Sequence, residues 1–491
     1  MMKYIVPEEA GISSEMIEKY LDTIDSKRLA THNIIMARGD NIFFEKYWKP
    51  FNADFLHRMY SVSKSFVSIA IGFLIQDGKL SLDDPMKKHF PDELKNQPDI
   101  NMHKQTVRDM LMMATVKPNR NWFLQKPEDR VRFYFENDNI ETRPAGTVFS
   151  YDSEGSFVLC ALVERITKKS LIEYLKEKLF DRIGISDDIH CLKCPGGHSW
   201  GDSGILCKPI DLLKVARFVL NGGSWNGEQI LNREYIEQAT SNQIFVNEDD
   251  VNNADTNGYG WQFWRCYGDS FYFNGMGCQY AICVPDKDLI LVYNGDNQGK
   301  ENVRACIVDS FFDLIVNNIS DEPLQENAEA YNRLEQKTQN LELISARGDK
   351  VSTIQYEIYG KEYKLSPNPM EIEKIKIEID GDEGKLFYKN AQGDKVLKFG
   401  MCKNVISDFP QEGYSDEYGT KEAKGNFYRC ATSAAWVEPQ KLYIKVQIID
   451  KYLGNFSITI GFKENKCGIF MIKHAEAFLN EYQGFAEGVI Q

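Results

Sequence analysis

The sequence predicts an α+β sandwich, one antiparallel sheet flanked by helices, followed by a smaller all-β domain. Three observations carry this. Hairpin signals stand at residues 33–48 and 279–293, with helical stretches between them. Strand-like alternation dominates beyond residue 341. A polar stretch separates the two patterns. Strands at both ends of a segment with helices between them suggest one antiparallel sheet covered by helices.

Taken in order, Ser13-Ser14-Glu15-Met16 opens a short amphipathic helix to about residue 25, capped by serine. Asn33 to Ala37 is apolar, Arg38-Gly39-Asp40-Asn41 turns, and Ile42 to Trp48 returns as a strand. Ser61 through Asp77 reads as a long apolar helix, with Gly78 where a left-handed cap is wanted. Leu171–Leu179 and Leu212–Leu220 carry helical spacing. Gln279–Val284 and Leu289–Tyr293 flank Pro285-Asp286-Lys287-Asp288 as a hairpin, and a helix follows over about 301–317. Residues 318–340, with Asp321-Glu322-Pro323, read as a linker or an exposed helix. Beyond them, Ile372 to Ile379, Leu442 to Ile449 and Phe456 to Phe462 alternate, separated by turns such as Asp380-Gly381-Asp382. Residues 341–491 are therefore read as a β-rich accessory domain, a small sandwich or barrel.

The composition supports folded domains. At about 150 residues each, 491 residues allow two or three. Apolar residues are 43% and charged residues 26%, which excludes a disordered or collagen-like chain. The net charge of −14 repels phosphate backbones, so neither nucleic acid nor an anionic membrane is an expected partner. No apolar run is long enough to span a bilayer. Met1-Met2-Lys3-Tyr4-Ile5-Val6-Pro7-Glu8-Glu9 has one lysine, then acids, and no signal-peptide core, so the chain is read as cytoplasmic. Eleven scattered cysteines then read as buried small hydrophobes. Nothing in the sequence sets the oligomeric state.

The chemistry centres on Tyr60-Ser61-Val62-Ser63-Lys64. A Ser and a Lys three residues apart at a helix start share one face. The positive end of the helix dipole can stabilise a developing oxyanion. A Lys held beside a Ser hydroxyl in a partly dry site can serve as its base. The four letters alone also fit a plain helix start. The wider context weighs against that reading. Arg143-Pro144-Ala145-Gly146-Thr147-Val148-Phe149-Ser150-Tyr151-Asp152-Ser153 precedes an apolar helix, and Tyr272-Phe273-Asn274-Gly275-Met276-Gly277-Cys278-Gln279-Tyr280 enters the second hairpin.

With these segments the chain resembles the penicillin-recognising serine hydrolases, which include class C β-lactamases, DD-peptidases, and esterase and 6-aminohexanoate-oligomer-hydrolase relatives. The resemblance covers residues 1–317. Asp77 to Pro85, Thr106 to Leu111, Ser203-Gly204 before Pro209, and Asn221 to Gly227 also look familial. It implies a β-lactamase/transpeptidase-like sandwich. It implies that Ser61 is acylated, that Lys64 helps deprotonate it, and that Tyr151 relays a proton to the leaving group. The backbone amides of Ser61 and Met276, just past Gly275, would form the oxyanion hole, and Ser153 and Asn274 would meet substrate.

Ser153 replaces the family's usual Asn, while Phe273 and Asn274 replace a Lys or His and a Thr. That strand thereby loses the cation and hydroxyl that hold a carboxylate, which disfavours β-lactam and D-Ala-D-Ala chemistry. The Gly-x-Gly-x-Gln-Tyr pattern is similar to the esterase and amidase branch. The expected activity is hydrolysis of a small-molecule ester or amide through an acyl-Ser61 intermediate, with no metal or organic cofactor. Two alternatives stand beside it: a non-catalytic binding protein on the same fold, and a D-amino-acid peptidase or β-lactamase.

Other constellations read as structural. His190-Cys191-Leu192-Lys193-Cys194-Pro195-Gly196-Gly197-His198 has zinc-ligand chemistry, but its second His follows too closely for a finger, so it reads as a loop. Cys278 reads as inert beside the site. His57 and Arg58 read as structural. Trp122-Phe123 and Trp261-Gln262-Phe263-Trp264 read as core, with one of them able to line an acyl pocket. No phosphate-cradling loop is present.

Overall fold

The computed structural model describes residues 2–117, 125, 127–136, 141–247, 257–413, 423–474 and 477–490; the Trp122-Phe123 pair lies outside them. Two compact units divide the chain. The first holds residues 1–295 and 302–341; the second holds 296–301 and most of 342–491.

The first unit is built on a seven-stranded sheet. Its order is Lys3–Tyr4, Asn41–Tyr47, Thr31–Arg38, Leu289–Gly295, Gln279–Val284, Phe271–Gly275, Trp264–Arg265. All neighbours are antiparallel except the first pair. Both predicted hairpins sit in it, and the strand from one pairs with the strand from the other. Side chains alternate across a strand, so each strand has two faces. One face, with Ile34, Met36, Tyr272, Ile282 and Leu291, shares a core with Ile17, Tyr20 and Leu21 of the helix Ser14–Ser26 and with Phe311. The other face carries Phe273 and Gly275.

The helix Ser63–Gln76 is buried on every side from Ser63 to Leu74, as an all-round apolar helix must be. Phe66, Val67, Ile71 and Leu74 are all fully buried, and each contributes roughly 1.5–3 kcal/mol by leaving water. Gly78 stops it at φ +67°, a conformation that glycine adopts without steric cost. The helix Ser153–Thr167 packs against it. The predicted helix at 171 runs as α over Leu171–Leu175 and continues as a π-turn over Lys176–Phe180.

The stretch read as a linker or exposed helix contains a helix, Ala328–Thr338, packed on Ser14–Ser26 within the first unit. Arg333 reaches Glu15 at 3.1 Å, and Lys337 pairs with Asp22.

The second unit is a ten-stranded sheet from Glu362–Leu365 to Gly484–Ile490. The strand Gly393–Met401 also pairs in parallel with Ala423–Glu438, through Gly400 with Ser433 and Met401 with Ala434. That pairing closes the sheet into a barrel, one of the two architectures expected. Ile375, Ile377, Leu386, Ile444, Val446, Ile458 and Ile469 are among its buried side chains.

Candidate active site

The Ser61 turn is fixed from several sides. Tyr60–Val62 forms a 3-10 turn that runs into the helix Ser63–Gln76. Tyr60 sits at φ +47°, a left-handed conformation that non-glycine residues hold only under strong local constraint. The constraint is visible. The Arg58 guanidinium lies 4.4 Å from the Tyr60 ring centroid and 4.5 Å from that of Trp200, and its Nε donates to the Ser203 carbonyl at 3.0 Å. The Met59 amide donates to Ile205 O at 2.8 Å, and the Met59 carbonyl accepts from the Val62 amide at 3.1 Å.

One turn on, Lys64 Nζ donates to Ser61 Oγ at 2.9 Å and to the Asp202 carbonyl at 2.7 Å. The lysine is 2% exposed. Its amine also lies 5.2 Å from the centroid of the Tyr151 ring. Asp202 is buried, and burial pushes its carboxyl up, opposed by the positive charges of Lys64, Arg130 and Arg58.

Tyr151 stacks on Trp264, with centroids 5.8 Å apart and planes 18° apart. Trp264 in turn packs on Phe149 and Tyr259. Among the described residues the Tyr151 hydroxyl makes no hydrogen bond. Asp152 caps the following helix, its Oδ1 accepting from the Gly155 amide at 2.9 Å, and burial raises its carboxyl. Ser153 is the first residue of that helix and is half-buried. Its hydroxyl makes no hydrogen bond among the described residues.

On the strand Phe271–Gly275, Phe273 is fully buried and meets Phe263 edge-on at 5.1 Å. The family's cation position is therefore filled by a core side chain. Asn274 Nδ2 donates to Tyr272 Oη at 3.2 Å; because a strand alternates, both lie on the face opposite Gly275, with Trp264 as the register partner of Tyr272. Gly275 is seated against the Ser61 turn: an added Cβ would lie 2.2 Å from Met59 O. Met276 is 41% exposed, and Gly277 and Cys278 complete the turn at φ +78° and +76°. The structure thus brings Ser61, Lys64 and Tyr151 together and seats Gly275 against the turn that carries Ser61.

Three contributors have roles that the sequence did not reveal. The Asp202 carbonyl lies just before the quoted Ser203-Gly204. Trp264 lies in a cluster read mainly as core. Gln262 is a hub: its carbonyl accepts from Ser65 Oγ at 2.7 Å, its Oε1 from Ser156 Oγ at 2.7 Å, and its Nε2 donates to Leu111 O at 2.9 Å. It ties the helix Ser63–Gln76 to the helix Ser153–Thr167, and no sequence period marks such a role.

The Cys191–Cys194 loop uses its side chains separately. Arg130 Nη1 donates to Cys194 Sγ at 2.6 Å, and His198 Nδ1 lies 2.7 Å from Glu164 Oε2. Among the described residues no set of His, Cys, Asp or Glu is placed to hold a metal. No helix among them is long and apolar enough to cross a membrane.

Comparison with known proteins gives a consistent picture. The Beta-lactamase family model matches residues 16–305. A 6-aminohexanoate-dimer hydrolase of Paenarthrobacter ureafaciens is 23% identical over 306 residues, covering 58% of this chain and 78% of that protein. A Bacillus anthracis structure assigned to the same hydrolases aligns at TM-score 0.53 and 20% identity, over 64% of this chain and 87% of the other. A penicillin-binding-protein homologue from Caulobacter crescentus aligns at TM-score 0.50 and 12% identity, over 62% and 99%. At these identities the structural likenesses establish the fold.

Proposed function

We propose that this chain, which belongs to the beta-lactamase family, is a serine hydrolase that cleaves a small-molecule ester or amide through an acyl-Ser61 intermediate. The observation that carries the proposal is the 2.9 Å contact between Lys64 Nζ and Ser61 Oγ, with the same amine anchored on the Asp202 carbonyl. The second bond, to a neutral backbone carbonyl, holds the amine in place. In the reacting form the amine donates to Asp202 O and turns its lone pair to the Ser61 hydroxyl.

Ser61 Oγ then attacks the substrate carbonyl as its proton passes to Lys64. The tetrahedral oxyanion is received by the amides of Ser61 and Met276, neither of which is taken up by a backbone acceptor among the described residues. Fixed donors aimed at a developing charge are worth several kcal/mol in a water-poor site. Tyr151, its hydroxyl without a hydrogen bond among the described residues and its ring braced on Trp264, passes a proton to the leaving group and later helps activate the deacylating water.

The substrate is read as lacking a carboxylate at the third-motif position, because Phe273 is buried there in place of a cation. A relative is named for hydrolysing a 6-aminohexanoate dimer, which accords with an amide or ester substrate.

A serine-directed fluorophosphonate tests the proposal. Wild type should be labelled, with the adduct mapping to Ser61, and Ser61→Ala should not react. Labelling elsewhere, or none in a folded wild type, would overturn it.

A further inference from the structure

We infer that Gln279 is a positioning residue for the oxyanion site, holding the Met276 peptides through its side chain; this rests on the acyl-Ser61 reading above. Gln279 is fully buried at the start of the strand Gln279–Val284, whose other residues are apolar and buried. A buried carboxamide is costly unless its polar atoms are paired. Here they are. Nε2 donates to the Met276 carbonyl at 3.2 Å and to the Gly295 carbonyl at 2.6 Å, and Oε1 accepts from Asn294 Nδ2 at 2.9 Å.

The geometry around Met276 explains what this arrangement does. The Gly275 carbonyl accepts the Cys278 amide at 3.2 Å. The Met276 N–H shares that planar peptide and lies trans to the carbonyl, so it points out of the turn. Gln279 grips the next peptide through the Met276 carbonyl. Met276 is an exposed turn residue, yet it is held on both flanks. The partner half of the oxyanion site is tied to the same place, because Gly275 rests on the Met59 carbonyl that also closes the Ser61 turn. Gln279 therefore acts through the Met276 peptide, without touching substrate. A carboxylate in its place would set acceptor against acceptor, and an apolar side chain would take the donor from two carbonyls and leave Asn294 Nδ2 with only its 4.0 Å contact to Met59 Sδ.

The test compares turnover of a p-nitrophenyl ester with that of its thiono analogue, whose sulfur accepts hydrogen bonds poorly. The proteins are wild type, Gln279→Met and Asn294→Ala, each as the full chain. A loosened oxyanion site should cost the oxo ester about tenfold to a hundredfold in kcat and the thiono ester far less, as losing an oxyanion donor does. KM should stay within about twofold. The oxo-to-thiono ratio is internal to each preparation, so partial unfolding does not move it. If Gln279→Met does not fold, Asn294→Ala, which removes the donor to Oε1 together with a 4.0 Å contact to Met59 Sδ, carries the test with a smaller drop. A wild-type ratio in the folded variants would overturn the inference while leaving the acyl-Ser61 reading intact. Absence of Ser61 labelling in wild type would instead overturn that reading, and this inference with it.

Discussion

The Cα of Gly275 packs so closely on the carbonyl oxygen of Met59 that a methyl group there would lie 2.2 Å from that oxygen. Real side-chain contacts never approach this distance, so Gly275→Ala must push the hairpin off the Ser61 turn. We predict a fall in kcat of about a hundredfold, the scale of a lost oxyanion donor, with a far-ultraviolet circular dichroism spectrum like that of wild type. Ester turnover within a few-fold of wild type would show that this contact does not set the geometry.

Lys64→Ala should slow acylation by roughly 10²–10⁴, the usual worth of a positioned base. Tyr151→Phe should hurt amides more than activated esters, because a good leaving group needs no proton. Single-turnover acylation of an activated ester and of an anilide, side by side, separates the two roles. Equal losses on both substrates for Tyr151→Phe would remove it as the proton relay.

Nitrocefin should be turned over far more slowly than a short-chain ester. The physical reason is Phe273, buried against Phe263 where a carboxylate-binding cation would stand. Comparable kcat/KM values for the two substrates would contradict this.

Acid should weaken the first unit through His57 and His32. Their rings lie 5.4 Å apart, and His32 stacks on Phe51 at 3.7 Å. Burial lowers both, His57 to about 3. The folded state then binds fewer protons than the unfolded state below the ordinary histidine range. Stability is complete above pH 6.5 and falls as the pH drops toward 3, by up to about 1.4 kcal/mol per pH unit for each histidine. Urea midpoints at pH 7 and pH 5 should show the loss. His57→Phe, placed among Phe51 and Phe55, should show a shallower one.

A chain ending at residue 341 should be more stable than one ending at 320, because the shorter chain loses the helix Ala328–Thr338. Leu334 is fully buried in that helix, so Leu334→Ala should cost about 2–5 kcal/mol. Thermal melts of the two truncations and of the variant decide this.

Much of the first unit was legible because its signals are local. The two hairpins announce themselves by apolar runs around turn residues, and Ser61, Lys64 and Tyr151 sit in short motifs with fixed spacing. The helix Ala328–Thr338 was ambiguous because only Ala330, Leu334 and Thr338 are buried. A stripe that thin reads as exposed until its partner helix is known. Gln279 looked like one polar letter in a strand, and its bonds are to carbonyls brought near only by the hairpin fold.

Ile34 lies beside Tyr293 in the centre of the sheet. A ribosome adding about 5–20 residues per second brings out the second of these on the order of 10–50 s after the first. The strand Thr31–Arg38 waits through that interval with one edge unpaired. The centre of the first unit's sheet can therefore close only late in synthesis, after most of that unit has been made.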